Sequence, residues 1–162
     1  MSDCKLPRRI WPARGALAGA LAALGLAAPS LAPAQALMTW ADLTRAPAPH
    51  ASQRVQYGEG SSQVAELWLP DGPGPHPVVL MIHGGCWQAR IAGLHIMDYI
   101  ADDLRRRGIA VWNIEYRGVD QPGGGYPGSF QDVASAADAL RAAAAANHLD
   151  LRRVVASGRS IA

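Results

Sequence analysis

The chain has 162 residues, 49% hydrophobic and 17% charged, with a formal net charge of +2 at pH 7. That length and apolar content suit one folded domain around one core and exclude a disordered chain. So small a charge excludes nucleic acid as a partner on electrostatic grounds.

The N-terminal segment has the layout of a secretory signal. Lys5, Arg8, Arg9 and Arg14 make a basic region, Gly15 to Ala28 is an uncharged apolar stretch, and Ala34-Gln35-Ala36 puts small residues where a signal peptidase reads. The stretch is shorter than the ~20 residues a bilayer span needs. Cleavage after Ala36 is therefore expected to leave no stable membrane span and an exported, periplasmic or extracellular protein. Residues 1–36 hold four of the basic residues and one acid, Asp3, so their removal brings the net charge to −1. The basic balance thus belongs to the export signal. Cys4 leaves with it, and Cys86 is then the one cysteine, so no internal disulfide can form.

Residues 37–54 form a lead-in segment containing Pro47 and Pro49, expected to run over the surface. Residues 55–162 carry regular patterns. Val64 to Leu69 alternates and is rich in strand formers, and the turn cluster Asp71 to Pro75 follows. Pro77 to Ile82 is a continuous apolar run, as in a strand buried on both faces. His83-Gly84-Gly85-Cys86-Trp87 comes directly after it. Apolar residues at 94, 96, 97, 100, 101 and 104 predict a helix over 94–107, stopped by Gly108. Ile109 to Ile114 predicts a second buried strand. After a Gly/Pro-rich loop, Ser129 is expected to cap a helix running to Ala146, with Asp132 in the capping-box position. Arg153 to Ala156 predicts another strand. Strands alternating with helices imply parallel βαβ units with both sheet faces covered. Function in such sheets collects at the C-terminal strand ends. That points to His83-Gly84-Gly85, Glu115-Tyr116-Arg117 and Gly158-Arg159-Ser160.

Gly84-Gly85 after a buried strand lets backbone N–H groups converge on one point, as an oxyanion hole requires; Gly-Gly is also common in plain turns. Gly158-Arg159-Ser160-Ile161-Ala162 matches four of the five places of G-x-S-x-G, the strained turn that exposes a nucleophilic serine. Ala162 stands where the second glycine belongs.

Together, these motifs make 55–160 resemble the esterase/lipase and kynurenine-formamidase-like group of α/β-hydrolases. Their H-G-G-x-W motif is similar to His83 to Trp87. Their N-x-E-Y-R segment and P-G-x-x-x-D helix start are similar to Asn113 to Arg117 and Pro127 to Asp132. The resemblance implies a doubly wound, mostly parallel α/β sheet. It implies Ser160 as nucleophile, with the backbone N–H groups of Gly85, Cys86 and Ile161 as oxyanion hole and Gly84 shaping the turn. It implies a small ester or amide substrate, with neither a metal nor a cofactor. His83 reads as structural. Glu115, Tyr116 and Arg117 read as ties from the strand end to neighbouring loops.

The family's triad runs Ser, then Asp or Glu, then His. Histidines 50, 76, 83, 95 and 148 all precede Ser160. The chain is therefore expected to be the N-terminal portion of an exported serine hydrolase, broken off at the elbow and inactive by itself. The alternative is a non-catalytic exported binding module, or an inactive pseudo-hydrolase, using the loop at Gly123-Gly124-Gly125 and exposed aromatics.

Overall fold

A computed structural model of the chain describes Thr39, Asp42 and residues 47–160. The signal reading at 1–36 and the position of Ile161 lie outside the described residues. The elements are β1 (Gln53–Gln56), β2 (Val64–Trp68), β3 (His76–Ile82), a 3-10 turn (Leu94–Met97), α1 (Asp98–Arg106), β4 (Ala110–Ile114), α2 (Gly128–Ala146) and β5 (Leu149–Gly158).

The strands form one sheet in the order β1-β2-β4-β3-β5. β3 pairs in parallel with β4 on one side and β5 on the other. Each of these neighbours is reached through a helix, the crossover a parallel pair needs. β1–β2 and β2–β4 are antiparallel, the minority pairing of the expected mostly parallel sheet. The short turns after β1 and β2 reverse the chain and leave no room for a crossover. β1 itself was not expected: Gln53-Arg54-Val55-Gln56 is polar because it is a solvated edge strand.

Side-chain alternation splits the core between the two sheet faces. Leu67, Leu80 and Trp112 pack with Ala136, Leu140 and Ala144 of α2. Their sequence neighbours Trp68, Met81 and Val111 pack with Met97 and Ala101 on the opposite face. The indole N–H of Trp112 donates to the Ala136 carbonyl at 2.9 Å, so this large buried side chain leaves no orphan donor.

The helix expected over 94–107 is a 3-10 turn followed by α1. Its first turn is held from outside the helix: Glu115 Oε2 accepts from the Leu94 N–H at 2.9 Å, and Asn113 Nδ2 donates to the Leu94 carbonyl at 2.9 Å. Ser129 is not the cap of α2. Pro127 occupies that place. Ser129 is buried in the first turn, where its hydroxyl donates to the Arg117 carbonyl at 2.5 Å and accepts from the Gly125 N–H at 2.9 Å. Asp132 closes no capping box either. It accepts from the Arg117 backbone N–H (3.0 Å), from Arg117 Nε and Nη2 (2.7 Å each) and from Gln63 Nε2 (2.7 Å). It is 1% exposed. α2 is thus locked to the loop after β4 by a buried ion pair.

β5 lies on the sheet edge, with Leu151, Val154 and Val155 exposed. Between its first pair with β3 and the regular ladder, the stretch from His76 to Val78 faces the longer stretch from Leu149 to Val154. Asp150 gathers the surplus chain, accepting from the Arg152 backbone N–H at 3.0 Å and from Arg152 Nε and Arg153 Nε at 3.1 and 2.8 Å.

Candidate active site

Because β3 and β5 are parallel neighbours with Ile82 opposite Gly158, the segments after them emerge side by side. The Arg159 N–H donates to the Ile82 carbonyl at 3.1 Å and holds the β5 exit against the β3 exit. A cavity of about 600 Å³ opens there, lined by Ile82 to Trp87, Tyr116, Ser129, Phe130, Val133 and Gly158 to Ser160. It therefore brings Ser160 together with Gly84, Gly85 and Cys86, residues more than seventy positions apart in sequence. Gly84 and Gly85 are buried, whereas Cys86 and Ser160 are exposed. The apolar rim includes the exposed Trp87 and Phe130, and Tyr126 sits edge-on to Phe130 at 5.8 Å.

The glycine loop is bent into an unusual path. Gly85 has φ +126°, and Cys86 and Trp87 follow at +52° and +54°. Positive φ is free for glycine but costly for residues with a Cβ. Such strain persists only where surroundings hold it, and here they do. The Gln88 N–H donates to the Gly85 carbonyl at 2.9 Å, and the Val119 N–H donates to the Trp87 carbonyl at 2.7 Å. Asp120 accepts from the Ala89 and Arg90 N–H groups at 2.9 and 3.1 Å. The two N–H bonds from Ala89 and Arg90 hold Asp120 below the ordinary aspartate range, together with its own backbone N–H and the charge of Arg90.

His83 is the post of this loop. Its Nδ1 faces the Gly84 carbonyl at 2.8 Å and its Nε2 faces Glu115 Oε1 at 2.7 Å. Its ring stacks on Tyr116 with centroids 4.5 Å apart. The Tyr116 hydroxyl donates to the His83 carbonyl at 2.8 Å. Burial acts to raise the Glu115 carboxyl, but bonds from His83, Leu94 N–H and Tyr116 N–H outweigh it and hold the group below the usual glutamate value. Burial, then the nearby Glu115 charge, pushes the Tyr116 phenol up. Both ring nitrogens of His83 face protein oxygens, of Gly84 and Glu115, and neither faces Ser160. Among the described residues no histidine is hydrogen-bonded to Ser160.

The tie from Glu115 to His83 and the stack of Tyr116 on it are ring geometries that a lone N-x-E-Y-R pattern does not display. Phe130 and Val133 were also not expected at the cavity. Their signal was the placement of α2's first turn next to the glycine loop, which only the sheet order reveals.

The family model BD-FAE matches residues 66–161. No curated protein matches the chain. Among solved structures, the chain is similar to a bacterial heroin esterase at 32% identity and TM-score 0.53, covering 59% of this chain and 29% of that one. It is similar to a truncated carbohydrate esterase from gut microbiota at 25% identity and TM-score 0.57, covering 69% and 42%. A bifunctional GH43-CE protein of Bacteroides eggerthii matches at 26% identity and TM-score 0.55, covering 65% and 15%. The chain thus spans less than half the length of each of these structures.

Proposed function

The chain belongs to the BD-FAE family, an esterase-like family of α/β-hydrolase fold, and from that premise we propose that it supplies the nucleophile and oxyanion half of an exported serine hydrolase acting on carboxylic esters or small amides. The observation that carries this reading is one cavity lined by both Ser160 and the Gly84-Gly85-Cys86 loop. Ser160 Oγ is the atom that attacks the acyl carbon once a general base has taken its proton. The negative charge that develops on the carbonyl oxygen is met by backbone N–H groups of Gly85 and Cys86, fixed in advance by the loop's pinning, and by that of Ile161, which the family resemblance implies and which lies outside the described residues. A serine hydroxyl without a base is a weak nucleophile at neutral pH, and His83 is occupied elsewhere. Residues 1–162 by themselves therefore turn over esters at background rate. A carbohydrate ester is the first substrate class to assay, after the carbohydrate esterase among the similar structures.

Two measurements test this. With p-nitrophenyl acetate, the chain and its Ser160→Ala variant are expected to hydrolyse at the same background rate; robust turnover lost in Ser160→Ala would overturn the inactivity. In amide NMR spectra, a non-hydrolysable ester analogue is expected to shift the signals of Gly84, Gly85, Cys86 and Ser160, and shifts confined to other surfaces would refute the site. Export through the 1–36 signal predicts a secreted product beginning at Leu37.

The exposed aromatics Trp87, Tyr126 and Phe130 at the rim favour a second reading, a binding module without chemistry. Ligand binding unaffected by Gly85→Ala and dependent on Tyr126 and Phe130 would distinguish it.

A further inference from the structure

A second cluster of chemistry-bearing side chains sits on the α1 face of the sheet and contributes nothing to the cavity lining. Glu66 of β2, His95 of the 3-10 turn and Asp98, the first residue of α1, each offer a ligand atom, and these atoms all lie within 4.8 Å of one another. Both carboxylates are buried, Glu66 to 7% and Asp98 to 3% exposure. The surrounding wall is apolar: Trp68, Met97, Ala101 and Val111 form the core on this face.

The cluster is rich in acceptors and poor in donors. Asp98 Oδ1 is buried with no hydrogen-bond partner. Asp98 Oδ2 meets only His95 Nδ1, at 3.1 Å. Arg54, half exposed on the edge strand β1, reaches Glu66 Oε1 at 2.9 Å; Oε2 remains available. A further buried oxygen without a partner, Asn113 Oδ1, belongs to the residue directly across from Glu66 in the β2–β4 register. The amide nitrogen of Asn113 is spent on the Leu94 carbonyl, at the base of the turn that carries His95. Buried polar atoms are normally satisfied, and orphaned carboxylate oxygens inside an apolar wall are the exception that asks for a cation.

We propose that Glu66, His95 and Asp98 bind one divalent transition-metal ion of the zinc class, which clasps β2 to the start of α1. One imidazole and two carboxylates are a donor set that zinc accepts, whereas calcium and magnesium sites are built from oxygen alone. Zinc bonds of about 2 Å require ligand atoms that stand up to 4.8 Å apart to close in, a movement the exposed His95 side chain can make. The fourth position of a tetrahedral site is left to water.

The test uses the whole 162-residue chain, stripped of metal with a chelator and titrated with Zn²⁺ by calorimetry and with Co²⁺ by visible absorption. One Zn²⁺ per chain, a raised thermal midpoint and a tetrahedral-type Co²⁺ spectrum are expected. His95→Gln is expected to weaken binding at least about tenfold and to abolish the zinc-dependent rise in thermal midpoint, read against that variant's own metal-free midpoint because His95 is the partner of buried Asp98. Glu66→Gln is expected to weaken binding to a similar degree, and His148→Asn, an exposed histidine on another face, is expected to have no effect. Absence of saturable binding, or binding that survives both His95→Gln and Glu66→Gln, would overturn the proposal.

Discussion

Replacing Asp132 by alanine tests how the loop after β4 is held. Asp132 is 1% exposed and collects bonds from the Arg117 backbone, the Arg117 guanidinium and Gln63. Burial opposes its ionisation, but the bonds from Arg117 and Gln63 outweigh it and keep the carboxyl below the ordinary aspartate value. Truncation leaves a guanidinium and a backbone N–H facing an apolar gap. Breaking a buried pair costs about 3–5 kcal/mol. The Arg117 side chain is 26% exposed and can recover some water, so the expected loss is at the low end, about 3 kcal/mol. With a urea m-value of about 1.5 kcal/mol/M, the midpoint falls by about 2 M, at unchanged m. Asp132→Asn keeps the shape and one acceptor and is expected to cost less. Adding Arg117→Leu to Asp132→Ala is expected to recover part of the loss, since the stranded charge goes too. A drop below about 1 kcal/mol for Asp132→Ala, within the range of an exposed pair, would show that the carboxylate is hydrated and refute the burial argument.

Gly85→Ala is expected to lose roughly 1–3 kcal/mol, because φ is +126° and the new methyl would stand 2.8 Å from the Ala92 Cβ. Urea titration measures it, and Ala92→Gly in the same chain is expected to relieve only the steric part. Glu115→Gln is expected to lower stability most near neutral pH. A carboxyl held low in the fold contributes fully above its unfolded value near 4.5, and that contribution fades as pH falls through the folded value. The gap between wild type and Glu115→Gln should therefore narrow steadily on acidification below about pH 4.5, and a gap that widens would contradict the sign. Trp112→Phe removes the indole N–H that shares the Ala136 carbonyl with the helix's own ladder and is expected to cost about 0.5–1.5 kcal/mol, seen in thermal melts.

The parallel centre of the fold was legible because β3 reads as an unbroken apolar run from Pro77 to Ile82 and β4 is apolar but for Asn113 and buried at every position. α2 was legible from its alanine-rich run and β5 from Val154-Val155. β1 escaped because three of its four residues are glutamine or arginine on an edge. The direction of β2 escaped because alternation along a strand carries no information about its partner's polarity. At the site, Gly84, Gly85, Cys86 and Ser160 stood out through motif spacing, and the sheet order supplies their meeting at one cavity. The roles of Ser129 and Asp132 were misjudged because a local rule, helix capping, competes here with long-range partners at Arg117 and Gln63. The cluster of Glu66, His95 and Asp98 spans three elements and leaves no local pattern to find.

The Asp150 clamp has a bearing on the serine ten residues downstream. Strand pairing is periodic, and a shift of one residue turns every side chain to the opposite side. Between Leu149 and Val154 the chain takes up its surplus length before the ladder with β3 begins. The size of that detour sets the phase in which β5 arrives beside Ile82, and so whether residue 160 meets the cavity or faces away from it. Deleting Arg152 would shift the reading of β5 by one place, about 3.3 Å, with every residue around the cavity intact. In this protein the aim of a serine is calibrated by an aspartate that never comes near it.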